Sequence, residues 1–159
     1  MNRSYLTAIK RNKSSVPMRQ LCRDGYLIGK ALDYGCGHGY DAYLYKMDLY
    51  DPFYFPLMPE GPYDTITCNY VLNVIESPVE RRFVISDIQS LLAENGNAFI
   101  TVRNDVKNLK GYTKKKTWQG HVSLPENLIV YINSNFITYN IKKMTTIKLG
   151  DISINFKVL

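Results

Sequence analysis

The chain has 159 residues, enough for one domain and too few for two of ordinary size. Hydrophobic residues make up 45% and charged residues 21%, which excludes a disordered chain, and no apolar run reaches membrane-span length. Lysine and arginine number 20 against 14 acidic residues; the net charge of +6 suggests a polyanionic partner.

That charge is uneven. Arg3, Lys10, Arg11, Lys13, Arg19, Arg23 and Lys30 oppose Asp24 alone in residues 1–30, and Arg103, Lys107, Lys110, Lys114, Lys115 and Lys116 oppose only Asp105 in residues 103–116. The rest of the chain is acidic. No apolar core follows the basic residues at the start, so they do not read as a secretory signal. Cys22, Cys36 and Cys68 form no CxxC pair and have only His38 and His121 as companions, so no metal site is expected. Free thiols in the cytoplasm are the expectation.

In chain order, Ser15 and Pro17 open a short helix that runs to Gly25, with Met18, Leu21 and Cys22 on one face. In the stretch 27–34 the core, residues 30–34, reads as a strand running into glycines. Residues 40–46 read as a short helix and 49–51 as a short strand, followed by a rigid connection through Pro56, Pro59, Gly61 and Pro62. Residues 64–71 read as a buried strand. Ser77 and Glu80 have capping-box spacing, which predicts a helix over 78–94 with Val84, Ile88, Leu91 and Leu92 as its buried stripe and Gly96 after its end. A strand over 97–103, a long polar basic loop over 104–120, and strands over 121–124, 128–132, 136–141 and 147–158 complete the order. This predicts an α/β three-layer sandwich, Rossmann-like, with a mostly parallel central sheet and antiparallel C-terminal strands. The expected division is a single domain with a basic N-terminal cap (1–26), a ligand-binding core (27–103), a basic loop (104–120) and a strand-rich tail (121–159).

The chemistry concentrates in Asp33-Tyr34-Gly35-Cys36-Gly37-His38-Gly39, where the first strand hands over to a helix. Glycine serves there because the chain turns sharply and a ligand passes against bare backbone. Asp51 closes the next strand, well placed to accept both hydroxyls of a ribose. A dinucleotide fingerprint has G-x-G-x-x-G spacing with an apolar residue ahead of it. Here the spacing is G-x-G-x-G, and the carboxylate of Asp33 would repel a pyrophosphate but suit the α-ammonium of a methionyl group. S-adenosylmethionine is favoured over NAD.

These residues resemble the first, cofactor-binding motif of the class I S-adenosylmethionine-dependent methyltransferases. Asp51 resembles their ribose-binding acid, residues 64–72 their fourth strand and residues 91–100 the helix–glycine–strand that follows. More narrowly, residues 50–56 and 67–75 are similar to a small methyltransferase-like group of bacteria and phages, some of which accompany DNA-modification systems. The resemblance implies cofactor contacts from Asp33, Gly35, Cys36, Gly37, Gly39, Asp51, Pro52, Phe53 and Asn69. It also implies a reduced fold, because residues 39–51 leave little room for the usual first helix and residues 56–62 none for a third strand and its helix. That missing piece normally hydrogen-bonds the adenine, which leaves adenine to Pro52 and Phe53, with the basic N-terminus as a candidate to complete the pocket.

Asn69 and Tyr70, ending the fourth strand, are the expected catalytic pair beside the reacting methyl. Asn69-Tyr70-Val71-Leu72 lacks the Asn/Asp-Pro-Pro-aromatic turn of exocyclic-amine methyltransferases, and the chain lacks the Pro-Cys pair of cytosine-C5 enzymes; both routes on duplex DNA are disfavoured. Arg103, Lys114, Lys115, Lys116 and Trp118 are the expected substrate contacts, with lysines tracking phosphates and an aromatic stacking on a base. His38 reads as a helix-start residue, and His121 is open to either role. The expected function is therefore methyl transfer to a nucleic acid or another anionic substrate. The alternative is an S-adenosylmethionine-binding but non-catalytic module that holds a nucleic acid or a protein partner.

Overall fold

The computed structural model describes residues 4–106, 110–113, 116–149 and 152–156. A 3-10 turn at Ser4–Thr7 precedes helix α1 (Val16–Arg23), whose cap is Ser15: its hydroxyl accepts from the Met18 N–H at 3.4 Å. Strand β1 (Ala31–Tyr34), helix α2 (Tyr40–Tyr45) and strand β2 (Asp48–Tyr50) follow, then β3 (Tyr63–Asn69). Helix α3 (Pro78–Leu91) starts on Ser77, which accepts from the Glu80 N–H at 3.3 Å, so the capping-box spacing marks the true start. Beyond it lie β4 (Leu92–Arg103), β5 (Lys110–Tyr112), β6 (Trp118–Gly120), β7 (Ile129–Ile132), β8 (Phe136–Lys142), β9 (Thr145–Leu149) and β10 (Ile152–Phe156).

Six strands form the central sheet in the order β2-β1-β3-β4-β8-β7. β2, β1, β3 and β4 are mutually parallel, and β8 runs antiparallel to both β4 and β7. Side chains alternate between the two faces along β4, as the two-residue period of a strand requires. Phe99 joins Met18 and Leu21 of α1 and Ala42 of α2 on one face, whereas Ala98, Ile100 and Val102 join Ile88 of α3 on the other. Helices thus cover both faces, and the three-layer expectation holds. β5–β6 and β9–β10 are separate two-stranded antiparallel sheets.

Several boundaries differ from those read in the sequence. The first strand, Ala31–Tyr34, is one residue shorter than the core read over 30–34. Cys22 is exposed, because α1 buries only Pro17, Met18 and Leu21. The helix expected to reach residue 94 ends at Leu91, and of its expected stripe Ile88 and Leu92 are buried while Val84 and Leu91 are partly so. Residues 121–124 form no strand. The tail expected as one strand holds the antiparallel pair β9 and β10, and residues 150–151 and 157–158 of that span lie outside the described residues. The largest change is in the stretch read as a loop over 104–120, which carries the β5–β6 hairpin with Gly111 opposite Gln119. Its polar, aperiodic composition hid strands only three residues long. The connection over residues 56–62 holds no strand or helix, as expected.

Candidate active site

The parallel strands β1, β2, β3 and β4 deliver their carboxyl ends to one rim, where loops leave a cavity of about 640 Å³. That size falls within the range of small-molecule sites. Asp33, next to last in β1, lines this cavity, and after Tyr34 a turn climbs over the end of β2: Gly35 N–H and Cys36 N–H both donate to the Tyr50 carbonyl, at 2.7 and 3.0 Å. Gly35 has φ +77°, and a Cβ there would lie 2.3 Å from Val71, so only glycine permits the turn to pack against the end of β3. Gly37 has φ +55° with Ala8 of the N-terminal segment directly over it.

Asp51 organises the next loop. Its Oδ2 accepts from Gly37 N–H at 3.1 Å, and its Oδ1 accepts from Phe53 and Tyr54 N–H at 2.9 and 3.0 Å. A carboxylate has about four acceptor positions, so these three bonds leave it with acceptor capacity for a ligand hydroxyl. Asp33 is buried and accepts the Thr67 hydroxyl at 2.8 Å. Burial pushes its carboxyl up to about 7; nearby Asp41 and Asp51 push the same way, while the Thr67 bond and Arg11 pull it back. Burial also pushes the Cys36 thiol up to about 12, which makes it no nucleophile at neutral pH.

Asn69, also in the lining, closes β3 with its Oδ1 buried and without a hydrogen-bond partner. Tyr70 follows with φ +63°, an uncommon conformation for a bulky residue, held by its N–H to the Thr101 carbonyl at 2.8 Å. Burial raises the Tyr70 phenol above its ordinary value, so it stays protonated. Arg103 reaches the same space paired with Asp105 at 2.7 Å.

The cavity therefore collects Asp33, Gly35, Cys36, Gly37, Asp51, Pro52, Phe53, Asn69, Tyr70 and Arg103 from the residues singled out in the sequence. Gly39 does not line it; with φ +78° it caps α2 against Leu49. Lys116 is exposed outside it, Lys114 and Lys115 lie outside the described residues, and Trp118 is buried with the Arg81 guanidinium 5.5 Å over its ring. His38 borders a neighbouring groove and lies against Tyr54, and His121 is exposed. No group of three or more metal-ligating side chains is present among the described residues, nor any helix long and apolar enough to cross a membrane.

Residue-level reading of the sequence missed Tyr5, Asp41 and Gln119. Tyr5 comes in on the N-terminal segment; its ring lies on Phe53 and its carbonyl accepts the Tyr54 hydroxyl at 3.3 Å. Asp41 accepts from the Ser15 N–H at 3.1 Å and so fastens that segment to α2. Only its basic charge hinted that the segment would cover the rim.

Comparison with known proteins agrees with the geometry. The family described as "Methyltransferase domain" matches residues 6–128. No curated protein matches the sequence at a significant level. Among solved structures, the chain is similar to DhpI in its complex with SAM and HEP (TM-score 0.57, 11% identity, 78% of this chain and 83% of that one). It is also similar to a TehB-like SAM-dependent methyltransferase from Corynebacterium glutamicum (TM-score 0.50, 17% identity, 83% and 90%). At such identities these likenesses speak for the fold, and the family match covers most of the chain. The chain belongs to the methyltransferase domain family, with the class I S-adenosylmethionine-dependent fold that its glycine turn led us to expect.

Proposed function

We propose that the chain is an S-adenosylmethionine-dependent methyltransferase, a single cytoplasmic domain acting on a nucleic acid or another anionic substrate. The observation that carries the cofactor half is the convergence of Asp33, the Gly35–Gly37 turn, Asp51 and Asn69 on one cavity. Its charged lining is mostly acidic (Asp33, Asp41, Asp51, Glu80 and Asp105) against Arg11 and Arg103, the latter paired with Asp105. Such walls suit a ligand that carries an ammonium and a sulfonium and disfavour a pyrophosphate.

When bound, S-adenosylmethionine supplies a methyl already activated on sulfur. Asp33 would hold the ammonium, Asp51 one ribose hydroxyl, and Pro52 with Phe53 an apolar surface for the adenine. Asn69 and Tyr70 line the end of the cavity where an acceptor would enter. Orientation supplies most of the catalysis in a displacement at an activated carbon, so no dedicated base is required. Lys10 and Arg11 on the segment over the rim, and the exposed Lys116 near the hairpin turn, support an anionic substrate. Free cysteines accord with a cytoplasmic setting.

Calorimetric titration with S-adenosylmethionine, S-adenosylhomocysteine and NAD tests the reading. Binding of the first two and not the third is expected, with radiolabelled methyl then passing to RNA, DNA or protein pools. NAD binding in their place would overturn it. A non-catalytic module would bind the cofactor and label nothing.

A further inference from the structure

The β5–β6 hairpin brings to the cavity a residue that no motif marks. Three residues of β6 alternate: Trp118 and Gly120 are buried on one side, and Gln119 lines the cavity from the other. The hairpin is docked firmly. Asn73, fully buried, donates through Nδ2 to the Gly120 carbonyl at 2.8 Å and accepts at Oδ1 from the Arg103 N–H at 2.7 Å, tying β6 to the end of β4. Gly120 leaves the space that the Trp118 ring fills, since a Cβ there would lie 2.2 Å from that ring. Yet the Gln119 Oε1 is buried without a hydrogen-bond partner, as is the Asn69 Oδ1 in the same cavity. Buried acceptors are costly when unpaired. Of the buried side-chain atoms without a partner among the described residues, those of Arg81, Asn104 and Asn140 belong to residues outside the cavity lining, whereas Gln119 and Asn69 line a ligand-sized cavity that can admit a donor from outside the chain.

We infer that Gln119 recognises the methyl acceptor, taking a hydrogen bond from a planar N–H-bearing edge of the kind a nucleobase presents. Its amide offers an acceptor and a donor side by side, the pattern with which glutamine reads base edges. Asn69 supplies a second acceptor at the catalytic end. The role is recognition of that edge and leaves the methylated atom open. The inference rests on the methyltransferase reading of the same cavity.

Radiolabelled methyl transfer to single-stranded RNA, single-stranded DNA and free nucleosides tests it in wild type, Gln119→Met and Gln119→Glu, beside calorimetry with S-adenosylhomocysteine. Gln119→Met matches the glutamine in reach without its hydrogen bonds; it is expected to raise KM about tenfold while cofactor affinity and Tm stay unchanged. Gln119→Glu keeps an acceptor oxygen and is expected to recover part of that loss. Label in strands alone places the edge in a nucleic acid, and label in nucleosides alone in a small molecule. Gln119→Met within twofold of wild type on every labelled pool overturns the inference, whereas cofactor binding with no pool labelled marks a non-catalytic module and overturns the proposed function together with it. Failure of S-adenosylhomocysteine to bind would instead overturn the proposed function beneath it.

Discussion

The rings of Tyr5 and Phe53 lie parallel, 9° apart in plane and 4.0 Å between centroids, joining the N-terminal segment to the loop after β2. Both residues line the cavity, and the segment that the pair anchors carries Lys10 and Arg11 near the rim. An aromatic stack contributes about 0.5–1.5 kcal/mol beyond its buried area. Tyr5→Ala is therefore expected to speed tryptic cleavage at Lys10 and Arg11 by roughly 2- to 10-fold, with the core left intact. Equal cleavage rates for variant and wild type would show that the stack does not secure the segment.

Asp33 makes cofactor binding depend on pH. Its carboxyl rises from 3.8 to about 7 in the fold, so the stability it contributes is fully present below about 4 and is lost as pH climbs through 7. A cationic ammonium needs the ionised form. Affinity for S-adenosylhomocysteine is expected to increase as pH approaches 7 and level off above it, with proton release seen by calorimetry in buffers of different ionisation enthalpy. Asp33→Asn should bind weakly with a flat profile; an unchanged profile would remove Asp33 from the ammonium site.

Asp51 has two jobs, and one substitution separates them poorly. Asp51→Ala deprives the Gly37, Phe53 and Tyr54 N–H groups of their acceptor, so it should lower stability by on the order of 1–2 kcal/mol as well as abolish cofactor binding. Asp51→Asn keeps one acceptor oxygen and should fold closer to wild type while still binding weakly. Chemical denaturation beside calorimetry reads both effects, and full affinity in both variants would place the ribose elsewhere.

The lysine run 114–116 carries the expectation of an anionic substrate. Replacing Lys114, Lys115 and Lys116 with glutamine should weaken substrate binding and flatten the dependence of log affinity on log salt. The slope should fall by about 0.7 for each single-strand phosphate that a lysine no longer neutralises. Cofactor affinity should not move. A slope equal to that of wild type would assign those lysines to solvent.

What the sequence showed and what it hid follow from distance along the chain. The Asp33-to-Gly39 turn, the Asp51 loop and the Ser77 cap are encoded by neighbours, so their residue types and spacing reveal them. Tyr5 and Gln119 reach the cavity only through packing between distant segments, which no local pattern records. Trp118 illustrates the other error. An aromatic among lysines reads as an exposed stacking platform, but a three-residue strand alternates its faces, and Trp118 falls on the inner one beside Gly120.

Loss of the third strand also moves the border of the sheet. β2, only three residues long and followed by Pro52, becomes one outer strand; β7, whose register slips between Ile129 and Tyr131, is the other. An outer strand is a template on which a second chain can add its own backbone, and brevity and irregularity are two ways in which proteins blunt that hazard. Among the described residues the central sheet thus ends on both sides in a short or irregular strand, the kind of border that resists edge-to-edge addition.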